Sequence, residues 1–271
     1  MSNSDITVHM VVKNEDQWVW FALQSVLPFA DQVLVTDTGS TDRTKDIIRS
    51  IASPKIQFLQ TTTTTPNEIT AIRQRQLNMT KTPWFWLVDG DEIYPQKTAQ
   101  EVLAATKRSY EGIVVRRYDL LGDVYHRQKE TIGEYRLYGV QGHLVTRLIN
   151  KQKIPGLYVA GAYPDEGYFD RDGVSLQDHD AKKWYITKNY LYHAMYLKRS
   201  SRGGNLAYVF NRKKYKIETG IKIEGTLPEV FSLARPSFIS DPTKIRSRVY
   251  ELSAAVITPI KKLKRAITYN L

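Results

Sequence analysis

The chain contains no cysteine. That excludes a disulfide framework, cysteine-ligated zinc and thiol catalysis. It also has no long apolar run. The longest uncharged stretch near the C-terminus, residues 252–260, falls far short of the roughly 20 residues a membrane-spanning helix requires. The first five residues, Met1-Ser2-Asn3-Ser4-Asp5, have neither the basic nor the apolar segment of a signal peptide, so a cytoplasmic location is expected. No internal repeat is present, and low complexity is confined to the threonines at 61–65. What is present is a 271-residue chain, 42% apolar, long enough for a substantial core and too apolar for a disordered one. Residues 1–197 hold 23 basic and 23 acidic side chains, whereas residues 198–271 hold 16 basic and 5 acidic. The whole positive excess therefore sits in the last quarter and points to an anionic partner.

The first ninety residues alternate strand and helix signals. Residues 6–12 form a β-branched run of strand length. Asn14, with Gln17 three residues on, has the spacing of a capping box for a helix that Pro28 ends. Strands are expected at 32–36, 56–59 and 84–88, with helices at about 42–51 and from Pro66 to about 79. Strands alternating with helices imply a mostly parallel sheet with helices on both faces. Beyond residue 95 a helix at 97–107 precedes two strands, 112–118 and 135–149, of antiparallel character. Residues 185–199 and 204–215 read as helices. Asp241-Pro242 and Thr258-Pro259 place a cap residue before proline, and predict two closing helices over 242–257 and 259–269.

In such sheets ligands gather at the carboxyl ends of the strands. Lys13-Asn14-Glu15 follows the first strand, Asp37 the second, and Asp89-Gly90-Asp91 the fourth. Two carboxylates two residues apart can share a divalent cation through oxygen ligands, and such a cation neutralises a diphosphate. Gly90 lets the backbone turn without a Cβ. A plain surface turn is the simpler use of Asp-Gly.

Val11 to Glu15, then Val33 to Thr44 with its Asp37-Thr38-Gly39-Ser40-Thr41-Asp42 run, then Arg73, then Trp84 to Glu92, resemble the family 2 glycosyltransferases of the GT-A fold. The resemblance covers residues 6–95 closely and 155–225 more loosely. It implies an α/β, Rossmann-like, mostly parallel sheet with a small antiparallel β region, to which a C-terminal helical extension is added. Residues 1–95 would then be the nucleotide-sugar half, 96–225 the acceptor and catalytic half, and 226–271 a basic amphipathic tail. The resemblance further implies that Val12, Asn14 and Glu15 line the nucleotide pocket and that Asp37 accepts a hydrogen bond from the base. Arg73 would lie near the base or diphosphate, with Arg75 as second candidate. Asp89 and Gly90 would face the donor, and Asp89 and Asp91 a Mn2+ or Mg2+ ion. His193 is the candidate third metal ligand, and Lys198, Arg199 and Arg202 are candidate diphosphate partners. Inverting transfer needs a carboxylate base. Glu166 is favoured, with Asp165 beside it and Asp178 and Asp180 behind. Trp84, Trp86 and His9 read as structural.

The function implied is transfer of a sugar, commonly from a uridine-linked donor, to a glycan or lipid-linked acceptor, as in cell-envelope polysaccharide synthesis. The alternatives are a nucleotidyltransferase on a similar sheet and a non-catalytic sugar- or nucleic-acid-binding module. Against the first, neither common phosphate-loop pattern follows the first strand. Against the second stand the intact acidic residues. In the tail, Ile245, Val249, Leu252, Val256, Ile260, Leu263 and Ile267 recur every three or four residues among lysines and arginines. That stripe can pack on the catalytic domain or a second subunit, or dock peripherally on an anionic inner membrane face. No nucleic-acid-binding signature accompanies it.

Overall fold

The computed structural model describes residues 5–62, 65–202 and 216–269. Strands β1 (Ile6–Val12), β2 (Gln32–Asp37), β3 (Ile56–Gln60) and β4 (Trp84–Leu87) pair in parallel in the order β4-β1-β2-β3. Between them run helices α1 (Val19–Val26), α2 (Thr44–Ser50) and α3 (Pro66–Met79). Then follow β5 (Glu92–Ile93), α4 (Gln96–Thr106), β6 (Gly112–Leu121), β7 (Asp123–Arg127), β8 (Tyr135–Leu137), β9 (Val140–Gly142) and β10 (Leu144–Asn150). The described chain continues through β11 (Tyr158–Ala160), β12 (Gly167–Phe169), β13 (Trp184–His193), β14 (Ile221–Lys222) and α5 (Arg248–Tyr269). β10 lies antiparallel to both β4 and β6, which extends the parallel half into a single sheet. β8–β9 and β11–β12 form separate antiparallel pairs. The α/β arrangement expected from the sequence, with its small antiparallel regions, is present.

Strand alternation divides the core into two layers. Trp84 and Trp86 join Val8, Met10, Phe21, Ile47 and Val102 on one face. Phe85 and Leu87 join Leu77 of α3 with Val114 and Ile149 on the other. Central strands buried on both faces read as near-continuous apolar runs, which is why β1, β2 and β4 are legible in the sequence. The start of α3 is equally local in origin. Thr65 and Glu68 form a reciprocal capping box, and Pro66 occupies the first turn.

His9, structural as expected, is buried in β1. It stacks on Phe85 with ring centroids 4.8 Å apart, and its Nε2 lies 2.5 Å from Thr80 Oγ1. Burial first, then the charges of Arg73 and Lys151, lower its pKa to about 3. The unfolded chain takes up this proton near pH 6.5, so acidification from 6.5 towards 3 favours unfolding. Between pH 6.5 and 4.5 this one group should cost at most roughly 2–3 kcal/mol. His9→Phe keeps the stacking, and Thr80 Oγ1 still donates to Gln76 O. Thermal melts of that variant should fall less steeply over this pH interval than those of the parent protein; parallel curves would remove His9 from the account.

Three local expectations are corrected. Asn14 does not cap α1. It adopts a left-handed φ of 57°, which asparagine tolerates, and its Oδ1 accepts from Thr41 N at 2.8 Å. Helix α1 begins later, at Val19, where Glu15 O accepts from Trp18 N and Val19 N. The helix expected over 185–199 is absent: its first part belongs to strand β13, parallel to β6, and 194–199 follow as a turn and loop. The aromatic and β-branched composition of β13 suits a strand, but an irregularity between Ile186 and Tyr190 breaks the alternation that would have revealed it. There Thr187 Oγ1 donates to Asn189 O and accepts from Arg116 N. The C-terminus holds one continuous helix, with Pro259 inside it. Thr258 Oγ1 accepts from Thr219 N at 2.9 Å instead of capping a new helix, and Asp241 closes a turn onto Thr243. The helix expected at 204–215 lies outside the described residues.

Candidate active site

The parallel pairing sets Val12 opposite Asp37, and the end of β4 beside β1, so three strand ends share one rim. At this rim lies a cleft of about 460 Å³. Val12, Lys13 and Glu15 enter it from β1, Arg73 from α3, and Asp89, Gly90 and Asp91 from the turn after β4. Arg147, Glu166, His193 and Arg199 close the far side. Side chains from Val11 to Arg199, far apart in sequence, therefore meet where sheet topology places a ligand.

Glu15 is buried, and Arg199 holds it with a forked ion pair in which Nε lies 2.9 Å from Oε2. Arg199 Nε also lies 3.2 Å from Asp91 Oδ2. Asn14 and Asp37 do not line the cleft. Asp37 Oδ1 accepts from Gly39 N at 3.0 Å and Ser40 N at 2.9 Å, which shapes the turn. Its Oδ2 is buried and accepts no hydrogen bond from any described residue, which leaves an acceptor of the kind an imide N–H requires.

Gly90 has a steric reason that the sequence does not display. A Cβ there would come within 2.9 Å of both Val12 Cγ1 and Glu15 Cγ. Neither side chain gives way easily: Val12 is β-branched and stiff at χ1 in its strand, and Glu15 is fixed by Arg199. Gly90→Ala should therefore destabilise the fold by about 1–3 kcal/mol and displace Glu15. A chemical melt checks the first effect; an unchanged midpoint would show that the turn can yield.

The two motif carboxylates differ in their partners. Asp89 Oδ2 lies 2.6 Å from Arg147 Nη2, with Arg73 Nη2 4.0 Å from Oδ1. Burial opposes its ionisation, but Arg147 and then Arg73 outweigh that and hold the carboxyl at about 2. Arg147 is shared with the fully buried Glu92. Asp91 is itself buried, and its Oδ2 lies 3.7 Å from His193 Nε2. His193 stands at the end of β13, where Nδ1 is 3.2 Å from Asp119 Oδ1. Burial alone would lower the imidazole pKa; the charge of Asp91 and the hydrogen bond to Asp119 raise it overall.

Arg73 Nε donates to Glu166 Oε1 at 2.7 Å. Glu166 Oε2 is buried and has no hydrogen-bond partner among the described residues. Asp165 is exposed and does not line this cleft; it borders a neighbouring cavity of about 620 Å³. Asp178 and Asp180 are exposed and line neither space, and Asp180 caps a short turn at Lys182. Arg75 is exposed on α3, and Lys198 and Arg202 do not reach the cleft.

Sequence reasoning missed Arg147, Asp119 and Arg117. Arg117 lines the cleft, with Nε 3.0 Å from Asp119 Oδ1. The available signal was a charge inside an apolar strand. Arg147 sits between Leu144 and Leu148, and Asp119 precedes Leu120 and Leu121, all buried. A buried charge must find a counter-charge.

The described residues contain no group of three or more carboxylate, imidazole or thiol side chains placed to hold a metal. Asp91 and His193 offer two converging donors. With the imidazole deprotonated, these donors fit an ion whose remaining positions are filled by water and substrate phosphates.

Residues 7–158 match the family model described as Glycosyl transferase family 2. No curated protein matches the chain. Among solved structures it is similar to S. aureus TarS 1-349, at 13% identity over 70% of this chain and 60% of that one, with a TM-score of 0.46. The same segment in complex with UDP-GlcNAc gives 15%, 74%, 59% and 0.47. Glucosyl-3-phosphoglycerate synthase from Mycobacterium tuberculosis, in complex with Mn2+, UDP and phosphoglyceric acid, gives 22% identity over 42% of each chain and a TM-score of 0.33. The chain thus spans about 60% of the TarS segment it matches.

Proposed function

The chain belongs to glycosyl transferase family 2, and from that premise we propose that it transfers a sugar from a nucleotide-sugar donor to a hydroxyl of a glycan or lipid-linked acceptor, with inversion. The observation that carries this reading is the meeting of two sets of groups in one cleft: Asp91 and His193, 3.7 Å apart, and Glu166, with one oxygen held by Arg73 and the other unpartnered among the described residues.

In this reading residues 1–95 bind the donor, residues 96–225 bind the acceptor and supply the base, and 226–271 form the tail. Val12 and Glu15 shape the pocket floor, and Asp37, whose Oδ1 sets the turn outside the cleft lining, is the acceptor that the resemblance assigns to the base, commonly uracil in this family. A Mn2+ or Mg2+ ion, bound by Asp91 and His193, would supply charge neutralisation at the leaving diphosphate. Asp89 fixes Arg147 at the cleft, and Gly90 lets the turn pack against Val12 and Glu15 beside the donor. The acceptor oxygen attacks the anomeric carbon as the bond from that carbon to the diphosphate oxygen breaks. Its proton passes to Glu166 Oε2. Arg73 orients Glu166 by holding Oε1, so that the other oxygen faces the acceptor.

A panel of nucleotide sugars tests this directly by thermal stabilisation and slow donor hydrolysis in the presence of Mn2+. At least one should raise the melting temperature by several degrees and be hydrolysed. A panel in which none does either would refute the proposal.

A further inference from the structure

Helix α5 shows the solvent the wrong face for a protein in water. Val249, Leu252, Val256, Ile260, Leu263 and Ile267, with Ile245 just before the helix, are 56–77% exposed. The opposite face is fastened to the body. Ala254 and Thr258 are buried, and Tyr250 Oη donates to the carbonyls of Lys216 and Glu218. The buried Glu218 Oε1 takes Arg265 Nη2 at 2.6 Å and Lys261 Nζ at 3.4 Å. The domain therefore holds the helix by its polar side and leaves the apolar stripe outward. Packing of the stripe on the catalytic domain, one of the uses open to the sequence, is not what the structure shows.

Charge decides what covers it. The six apolar positions on the helix recur every three or four residues and form one stripe of about 27 Å, from Val249 to Ile267. The flanks are basic: on a helical projection Arg248 and Lys262 border the stripe on one side and Lys264 on the other, all exposed. The one acid on the helix, Glu251, is engaged by Arg246. No helix among the described residues is long and apolar enough to cross a membrane. An apolar stripe with basic flanks and too little length of apolar chain to span is the physical description of a helix lying in the interfacial plane.

We infer that α5 docks this protein on an anionic lipid bilayer, with Ile245 to Ile267 inserted among the acyl chains and the flanking lysines and arginines at the headgroups. This goes beyond the transfer reaction and does not depend on it.

The test is co-sedimentation of the full chain with vesicles, without nucleotide. Binding to phosphatidylcholine vesicles with about 30% phosphatidylglycerol should exceed binding to phosphatidylcholine alone by about tenfold or more, and should weaken with salt. Val256→Asp with Leu263→Asp alters only outward side chains, so it should keep the parent melting curve and lose at least about tenfold in vesicle binding. Lys262→Glu with Lys264→Glu, a second variant, should lose the preference for anionic lipid. Equal sedimentation with both vesicle types, or binding that survives the double aspartate variant, would overturn the inference. So would a parent dimer that ignores vesicles and becomes monomeric in the double aspartate variant; that result would assign the stripe to a second copy of the chain.

Discussion

Glu166→Gln should leave donor binding within about threefold of the parent value and lower turnover by about 10²–10⁴-fold, the range removed when a positioned general base is lost. The substitution is nearly isosteric. The amide oxygen can still accept from Arg73 Nε, now at 2.7 Å, so the segment around Pro164 and Tyr168 has no reason to move. What disappears is the ability of the second oxygen to take a proton. Single-turnover kinetics with saturating donor separate this from a binding defect. Near-normal turnover would place the base elsewhere, with Asp165 as the neighbour to examine, although its exposure and its absence from the cleft lining argue against it.

Asp91→Asn should abolish measurable transfer, a loss of at least about 100-fold, as when a preorganised electrostatic group is removed. The fold should survive. Arg199 retains its forked pair with Glu15, His193 retains Asp119, and the Asp91 carbonyl still accepts from Ala194 N at 2.9 Å. The expected cost is about 1–2 kcal/mol, a few degrees of melting temperature, with the transition still cooperative. Loss of a cooperative melt would make Asp91 a structural residue and remove the main support for metal binding.

The parallel half of the fold was legible because its causes are local. β1, β2 and β4 are apolar on both faces, and Pro66 marks where α3 begins. The acidic turns after those strands follow from topology alone. The second half was harder for physical reasons. β13 carries a side-chain-bonded irregularity at Thr187 that erases its alternation, so its run of aromatics looked helical. Thr258, expected to cap a new helix before Pro259, instead accepts from Thr219 N, 39 residues away, inside the continuous α5. The pairings that organise the cleft are also distant in sequence. Arg199 reaches Glu15 across 184 positions, and Arg147 reaches Asp89 across 58. Nothing near Arg147 in the chain announces its partners; only its place in an apolar strand says that it must have some. Glu166 was reachable through the resemblance, but its orientation by Arg73 was not.

The central claim is that this cleft grips an activated nucleotide through Asp91 and a divalent ion. Isothermal titration of UDP into the parent protein and into Asp91→Asn, each with Mn2+ and with EDTA, tests it most directly. The account predicts that Mn2+ tightens binding to the parent by about tenfold or more, equivalent to about 1.4 kcal/mol, and that the variant shows no such gain. Identical affinities in all four titrations would contradict it.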